Sequence, residues 1–311
     1  MNTDPMIQDN KFQPLDKSIY KADHDKQYKS MSFSQDVWRR LKKHKPAMIS
    51  LFFLIVITFM AFAGPYMNEH DADYQNYDSI KMEPTMENDY WFGTDTLGRD
   101  MWTRTWEGAK ISLLIGVVAA TLDVIFGVVY GAIAGYFGGR IDFIMMRFIE
   151  IIVSIPNIIF TILLLMVIER GILAIIIAIA LTGWVGMARL IRGQVMSLKS
   201  REYVLAARSL GTKPMKLIRV HLIPNMVGPM MVNMSFTIPA AIFAEAVLSF
   251  IGLGVPLPDA SLGSLVNDGR KLLLLEPHLL FFPATIITLI ILSFSIFGDG
   301  LRDAVDPRLR K

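Results

Sequence analysis

Polar and apolar residues alternate on a long scale in this chain: runs of about twenty mostly apolar residues are separated by short charged stretches, with no strand-like period of two. A bilayer core of about 30 Å requires roughly 20 mostly apolar helical residues per crossing. Six segments satisfy this: residues 47–68, free of charge; 111–137, interrupted only by Asp123; 151–168, with a start near Asp142; 171–188; 226–252, broken only by Glu245; and 277–298. Open backbone cannot face lipid, and continuous apolar runs exclude a barrel. The pattern therefore predicts an all-α polytopic membrane bundle of six transmembrane helices.

Composition agrees. With 53% hydrophobic and 19% charged residues and a mean hydropathy of +0.43, the chain is too apolar for an ordinary soluble protein. Basic residues then orient it. Placing the amino terminus in the cytoplasm puts 24 of the 31 Lys and Arg on the inner face and 7 on the outer. Both termini are expected to be cytoplasmic in a multi-pass plasma-membrane protein. The first span is expected to act as an uncleaved signal anchor. The net charge of +3 is accounted for by inner-face residues, with no role for nucleic acid, and the absence of cysteine removes disulfide and thiol chemistry.

This reading divides the chain into a mobile cytoplasmic tail (1–34), an amphipathic basic segment with the first span (35–68), an extracytoplasmic segment (69–108), a five-helix core (109–301) and a cytoplasmic tail (302–311). Residues 33–45 read as a basic helix lying on membrane lipid of the inner leaflet. Within the core lie a charged inner loop (193–227) and an outer hairpin (253–276).

The inner loop is the most informative stretch. Residues 201–225, REYVLAARSLGTKPMKLIRVHLIPN, read as two short helices about a breaker. Glu202 to Leu210 favours helix, Gly211 takes the left-handed position at its end, Thr212 and Pro214 open the next helix, and Pro224 closes the unit. Ala206 and Ala207 leave a surface that another protein can approach closely. Arg201, Arg208, Lys213, Lys216 and Arg219 keep the loop out of lipid.

The spacing resembles the EAA…G…I-LP loop of ABC-importer permeases, which docks in a cleft of the ATP-hydrolysing subunit. Ala206, Ala207, Gly211 and Pro224 match that pattern. Leu205 stands where the usual pattern has Glu, His221 where it has Ile, and Ile223 where it has Leu; Glu202 lies upstream. Three further strings are similar to the oligopeptide and dipeptide branch: WFGTDTLGRD at 91–100, AEAVLSFIGLG at 244–254 and GDGLRDAVDPRLR at 298–310. The resemblance covers residues 35–311 and implies an ABC importer type I permease-like fold.

It implies the second permease component of an oligopeptide importer, with dipeptides or nickel as alternative cargo. The expected partners are a second permease subunit, two cytoplasmic ATPases that bind ATP and Mg, and an extracytoplasmic peptide-binding protein. No cofactor is expected in this chain. It carries no G-x-x-x-x-G-K-[ST] phosphate loop and no H-E-x-x-H, and its five histidines are dispersed, so no catalytic or metal site is expected.

Asp123 and Glu245 sit at membrane depth. Such carboxylates either line a translocation path or are buried and hydrogen-bonded. They would also be the ion sites of a secondary transporter, the rival reading, whose inverted repeats are not seen. Gly93, Asp95, Arg99 and Asp100 form a polar outer turn flanked by tryptophans and are expected to dock the binding protein. Gly127, Gly131 and Gly135 form a small-residue stripe for close helix packing. Arg147 and Glu150 read as a one-turn ion pair, and the methionines as apolar filler.

Overall fold

The computed structural model describes residues 32–306; the first 31 residues of the expected tail and residues 307–311 lie outside it. Ten helices follow one another: α1 Phe33–Lys43, α2 Lys45–Ala63, α3 Met101–Phe137, α4 Gly139–Val153, α5 Asn157–Val167, α6 Ile172–Leu198, α7 Glu202–Ser209, α8 Pro214–Phe250, α9 Leu262–Lys271 and α10 His278–Val305. Among the described residues there is no strand, only an isolated bridge between Thr94 and Asp100. The last helix runs to Val305, so residues 302–305 belong to the bundle and not to a tail.

Among the described residues five helices are each long and apolar enough to cross a membrane: α2 with the short turn after it, α3, α6, α8 and α10. The sixth span differs from the single helix expected over 151–168. In its place stands the pair α4 and α5, bent by 81° at the break between Val153 and Asn157, the form of a broken span or a re-entrant loop. Pro156 supplies the cause, since it lacks a backbone donor and disfavours helix in the residue before it. Neither half, at 15 and 11 residues, spans a bilayer alone.

α3 also begins earlier than its apolar run. Asp100 caps it, accepting from the amides of Trp102 and Thr103, and its first turns bury Arg104, which donates to the carbonyl of Ala72 at 2.9 Å. The charge of Arg104 is opposed by Asp73 at 3.4 Å and Asp95 at 3.9 Å from the preceding segment, so helix continues where hydropathy alone would stop it.

The bundle centres on α3 against α6. A Cβ on Gly131 would lie 2.3 Å from the carbonyl oxygen of Ala188, and one on Gly135 2.7 Å from that of Arg192. Gly127 faces Met187 in the same way. The glycine stripe thus serves contact within the chain, letting two backbones approach. α8 closes the other side of α3 through Ile238 and Ile242, and α2 and α10 cover the flank. At the end of the bundle that carries the loop at 193–227, Arg192 clamps Asp142 through two nitrogens at 2.5 and 2.6 Å, tying α6 to α4. Lys199 donates to the carbonyl of Gly135 near the end of α3 at 2.8 Å. The expected Arg147–Glu150 pair is present at 2.7 Å.

Candidate functional site

The inner loop is built on the extension of α6 beyond residue 188, the end of its apolar run. α7 starts after Arg201, with Glu202 in its first turn, where a carboxylate faces the positive end of the helix dipole. It ends in a Schellman motif. Gly211 has φ +81°, its amide donates to the carbonyl of Arg208 at 2.9 Å, and the amide of Thr212 reaches back to Ala207 at 3.2 Å. Lys213 and Pro214 then open α8. The expected two helices about a left-handed glycine are therefore present.

Pro224 does not close the unit. Helix is continuous from Pro214 to Phe250, with a wide π-helical turn over Leu217–Leu222 immediately before the proline. A proline inside a helix lacks an N–H and crowds the preceding turn, and the wider turn accommodates both.

One face of the loop is anchored and the other is free. Val204, Leu217, Ile218 and Leu222 are buried against Val128, Ile191 and Val195 on α3 and α6. Ala206 is exposed and Ala207 half-buried. Beside them Leu205 (47% exposed), Leu210 (87%) and Met215 (62%) stand in the open, with the five basic residues of the loop exposed around them. Apolar side chains thus stand grouped on an otherwise polar, basic surface. Leu210 and Met215 were not singled out in the sequence, where an apolar residue in a helical run reads as core.

The two membrane carboxylates have different surroundings. Glu245 is fully buried, and its Oε1 accepts from Ser249 at 2.8 Å and Ser261 at 2.6 Å. Ser261 caps α9, and the amide of Leu262 donates to Ser112 on α3. Gly263 lets α9 come within contact of Glu245. This carboxylate therefore fastens the outer hairpin to α8. Asp123 instead borders a cavity of about 150 Å³ with Asn157, Thr161, Thr182 and Thr237; its Oδ1, like Oε2 of Glu245, has no hydrogen-bond partner among the described residues, so the cavity is what sets Asp123 apart. It packs against Gly183, where a Cβ would lie 2.3 Å from Oδ2.

The outer turn is not the exposed charged rim expected from its residues. Asp95 is 9% exposed, Arg99 8% and Asp100 1%. Asp95 accepts from the amides of Leu97 and Arg99 and from Nε of Arg99 at 2.7 Å, and Asp100 is consumed in capping α3 and in accepting from Asn68. Gly93, at φ +75°, brings the chain against the carbonyl of Met82 and the ring of His278. Short polar residues satisfy each other locally in a tight turn, and only the fold reveals that these carboxylates are already taken up. The turn instead forms one wall of an outer cavity of about 370 Å³, closed by Leu257, Leu265, Asp268, Lys271 and Leu279.

Residues 127–311 match the family described as binding-protein-dependent transport system inner membrane component, and residues 32–84 match the N-terminal transmembrane domain of oligopeptide transport permease C. The dipeptide transport system permease protein DppC of Bacillus subtilis is 50% identical over 91% of this chain and 88% of its own. The oligopeptide transport system permease protein OppC of the same organism is 47% identical, over 91% and 92%. The glutathione transport system permease protein GsiD of Escherichia coli is 35% identical over 88% and 90%. Among solved structures, an inward-facing form of the MetNI methionine ABC transporter aligns with a TM-score of 0.51 at 19% identity, covering 66% of this chain and 97% of its own. That last likeness concerns the fold. The bent bundle, the exposed two-helix loop and these matches together place the chain in the family of inner membrane components of binding-protein-dependent transport systems, as a multi-pass permease subunit.

Proposed function

We propose that this permease subunit carries oligopeptides or dipeptides across the membrane, driven by ATP hydrolysed in separate chains. The observation that carries the reading is the inner loop: a short helix ended by Gly211, presenting Leu205, Leu210 and Met215 beside the small Ala206–Ala207 surface and ringed by basic groups. Such a face takes up a partner and transmits its movement through Val204, Leu217 and Leu222 to α3 and α6. The partners are two cytoplasmic ATPase subunits, which hold the ATP and Mg, a second permease subunit, and an extracytoplasmic peptide-binding protein on the opposite face. The basic asymmetry orients the loop and both termini to the cytoplasm. Peptides are favoured as cargo because the relatives that match over most of the chain are named for dipeptide, oligopeptide and glutathione transport.

Asp123 is the candidate group on the translocation path. Its free oxygen, at a small and mostly apolar cavity that also presents Asn157 and three threonines, suits a peptide amide or amine. Tagged protein purified from native membranes should bring down two ATPase chains and a second permease, and the reconstituted complex should take up labelled peptide with ATP. Recovery of the chain without an ATPase would overturn the coupling reading. Uptake of nickel but not peptide would overturn the cargo.

A further inference from the structure

α1 is held onto the bundle by its apolar side. Val37 and Leu41 pack against Ala47, Phe297 and Ala304, while Phe33 reaches the backbone of α8 at Gly228. Where its last turn meets the end of α10, a cavity of about 310 Å³ opens, lined by Arg39, Arg40, Lys43 and His44 on one side and by Asp303 and Gly300 on the other. α2 enters its apolar run at Ala47. The cavity therefore lies at the depth of lipid headgroups, on the face that we orient to the cytoplasm. Trp38, 45% exposed and with Lys42 over its ring at 5.2 Å, stands outside it.

The polar groups around this space are arranged in advance. Asp36 accepts from Arg39 at 2.9 Å and from Arg40 at 3.0 Å, holding both guanidinium groups in place. Nε of Arg40 is buried and has no partner among the described residues. The amide of Ala47 donates to Nδ1 of His44, so the neutral ring carries its proton on Nε2. That nitrogen sits 3.8 Å from Asp303, too far for a hydrogen bond. The carboxylates present are Asp36 and Asp303, against three permanent cations, so an excess of positive charge remains. Gly300 keeps one wall as backbone, since a Cβ there would lie 2.3 Å from Ala47 and 3.0 Å from His44.

We propose that this cavity is a binding site for a phosphate group, with Arg40 and Lys43 as its principal contacts and the headgroup of an anionic phospholipid as the ligand suited to its depth. A guanidinium takes two phosphate oxygens in its planar fork, and an ammonium adds a point charge beside it. A bound headgroup adds acceptors for the Arg40 guanidinium and the Lys43 ammonium that line the cavity, and bridges α1 to α10. The inference stands independently of the cargo and of the coupling loop.

The test is native mass spectrometry of the detergent-purified complex containing the full-length chain, titrated separately with phosphatidylglycerol, phosphatidylcholine and inorganic phosphate. One phosphatidylglycerol should be retained preferentially over the zwitterionic lipid. The double substitution Arg40→Gln with Lys43→Gln should weaken it by ~10-fold or more. Lys42→Gln, on the same helix but outside the cavity, should leave binding unchanged. Arg40→Lys, which keeps the charge but removes the fork, should weaken binding at an unaltered thermal midpoint. Inorganic phosphate that binds in place of the lipid and depends on the same residues would assign the site to free phosphate. Equal lipid retention by wild type and the double variant, equal loss in Lys42→Gln, or binding of neither lipid nor phosphate overturns the proposal.

Discussion

Gly211 is the residue at which sequence and structure meet most directly. Its φ of +81° is a conformation that side chains with a Cβ rarely adopt, yet nothing lies within 4 Å of where that Cβ would be. Substitution is therefore opposed by backbone conformation alone. Gly211→Val should cost about 1 kcal/mol or more locally and misdirect the start of α8. The expected outcome is a protein that inserts normally but loses peptide uptake and transport-coupled ATP hydrolysis; normal uptake by a well-expressed variant would remove the loop from the coupling route. Gly211 was legible because a glycine after a helical run has few other uses. The different situations of Asp123 and Glu245 were not, because the hydroxyls that occupy Glu245 come partly from Ser261 on the outer hairpin. Glu245→Leu should leave two serine hydroxyls buried without an acceptor, lowering stability on the order of 1–3 kcal/mol, read as a reduced thermal midpoint in detergent. Asp123→Asn keeps the shape and should alter uptake far more than the midpoint. A reversed pattern would exchange the roles of the two residues.

Among the elements, the existence of the apolar helices was readable and several of their ends were not. Hydropathy sees charge but not its partners, so α3 was expected to start at Ile111, although Asp100 and the buried Arg104 carry the helix back to Met101. Pro156 marked a break within a run that apolarity presented as one span, and Pro224 marked none, because the wide turn before it absorbs the ring. The glycine stripe on α3 was legible as packing, but its partner was not, since periodicity does not say which helix is opposite. That partner being α6 yields a test with an internal control. Gly131→Ala places a methyl 2.3 Å from the backbone oxygen of Ala188, whereas Gly186→Ala on α6 meets nothing within 4 Å. Overpacking of this kind costs typically about 1–3 kcal/mol. Gly131→Ala should lower the thermal midpoint and accumulate less in the membrane, while Gly186→Ala should match the wild type. Equal behaviour of the two would mean that α3 and α6 are not in this close contact.

At the scale of the whole molecule, the inner and outer faces are joined through α3. Its first turn is capped by Asp100 within the polar turn, and its later half packs on the helices that carry the loop at 193–227. On the proposed function, a partner docking at the Asp100 end would act on the same helix that the loop packs against. Arg99 is spent on Asp95 inside the turn, so its charge is not offered to a partner. Lys271 is exposed at the other wall of the outer cavity, where it pairs with Asp268 in solvent. Exposed rim charges chiefly govern encounter and weaken with added salt, while a buried pair holds local structure. Lys271→Glu should therefore reduce the affinity of the peptide-binding protein at low salt, with the loss shrinking as salt is raised and the thermal midpoint unchanged. Arg99→Glu should place a second carboxylate against Asp95, lower the midpoint, and reduce affinity equally at low and high salt. The measurement is binding-protein affinity for the reconstituted complex at two ionic strengths, paired with a melting curve for each variant. Salt-sensitive loss in Arg99→Glu with an intact midpoint would show the guanidinium itself at the interface, contrary to its burial here.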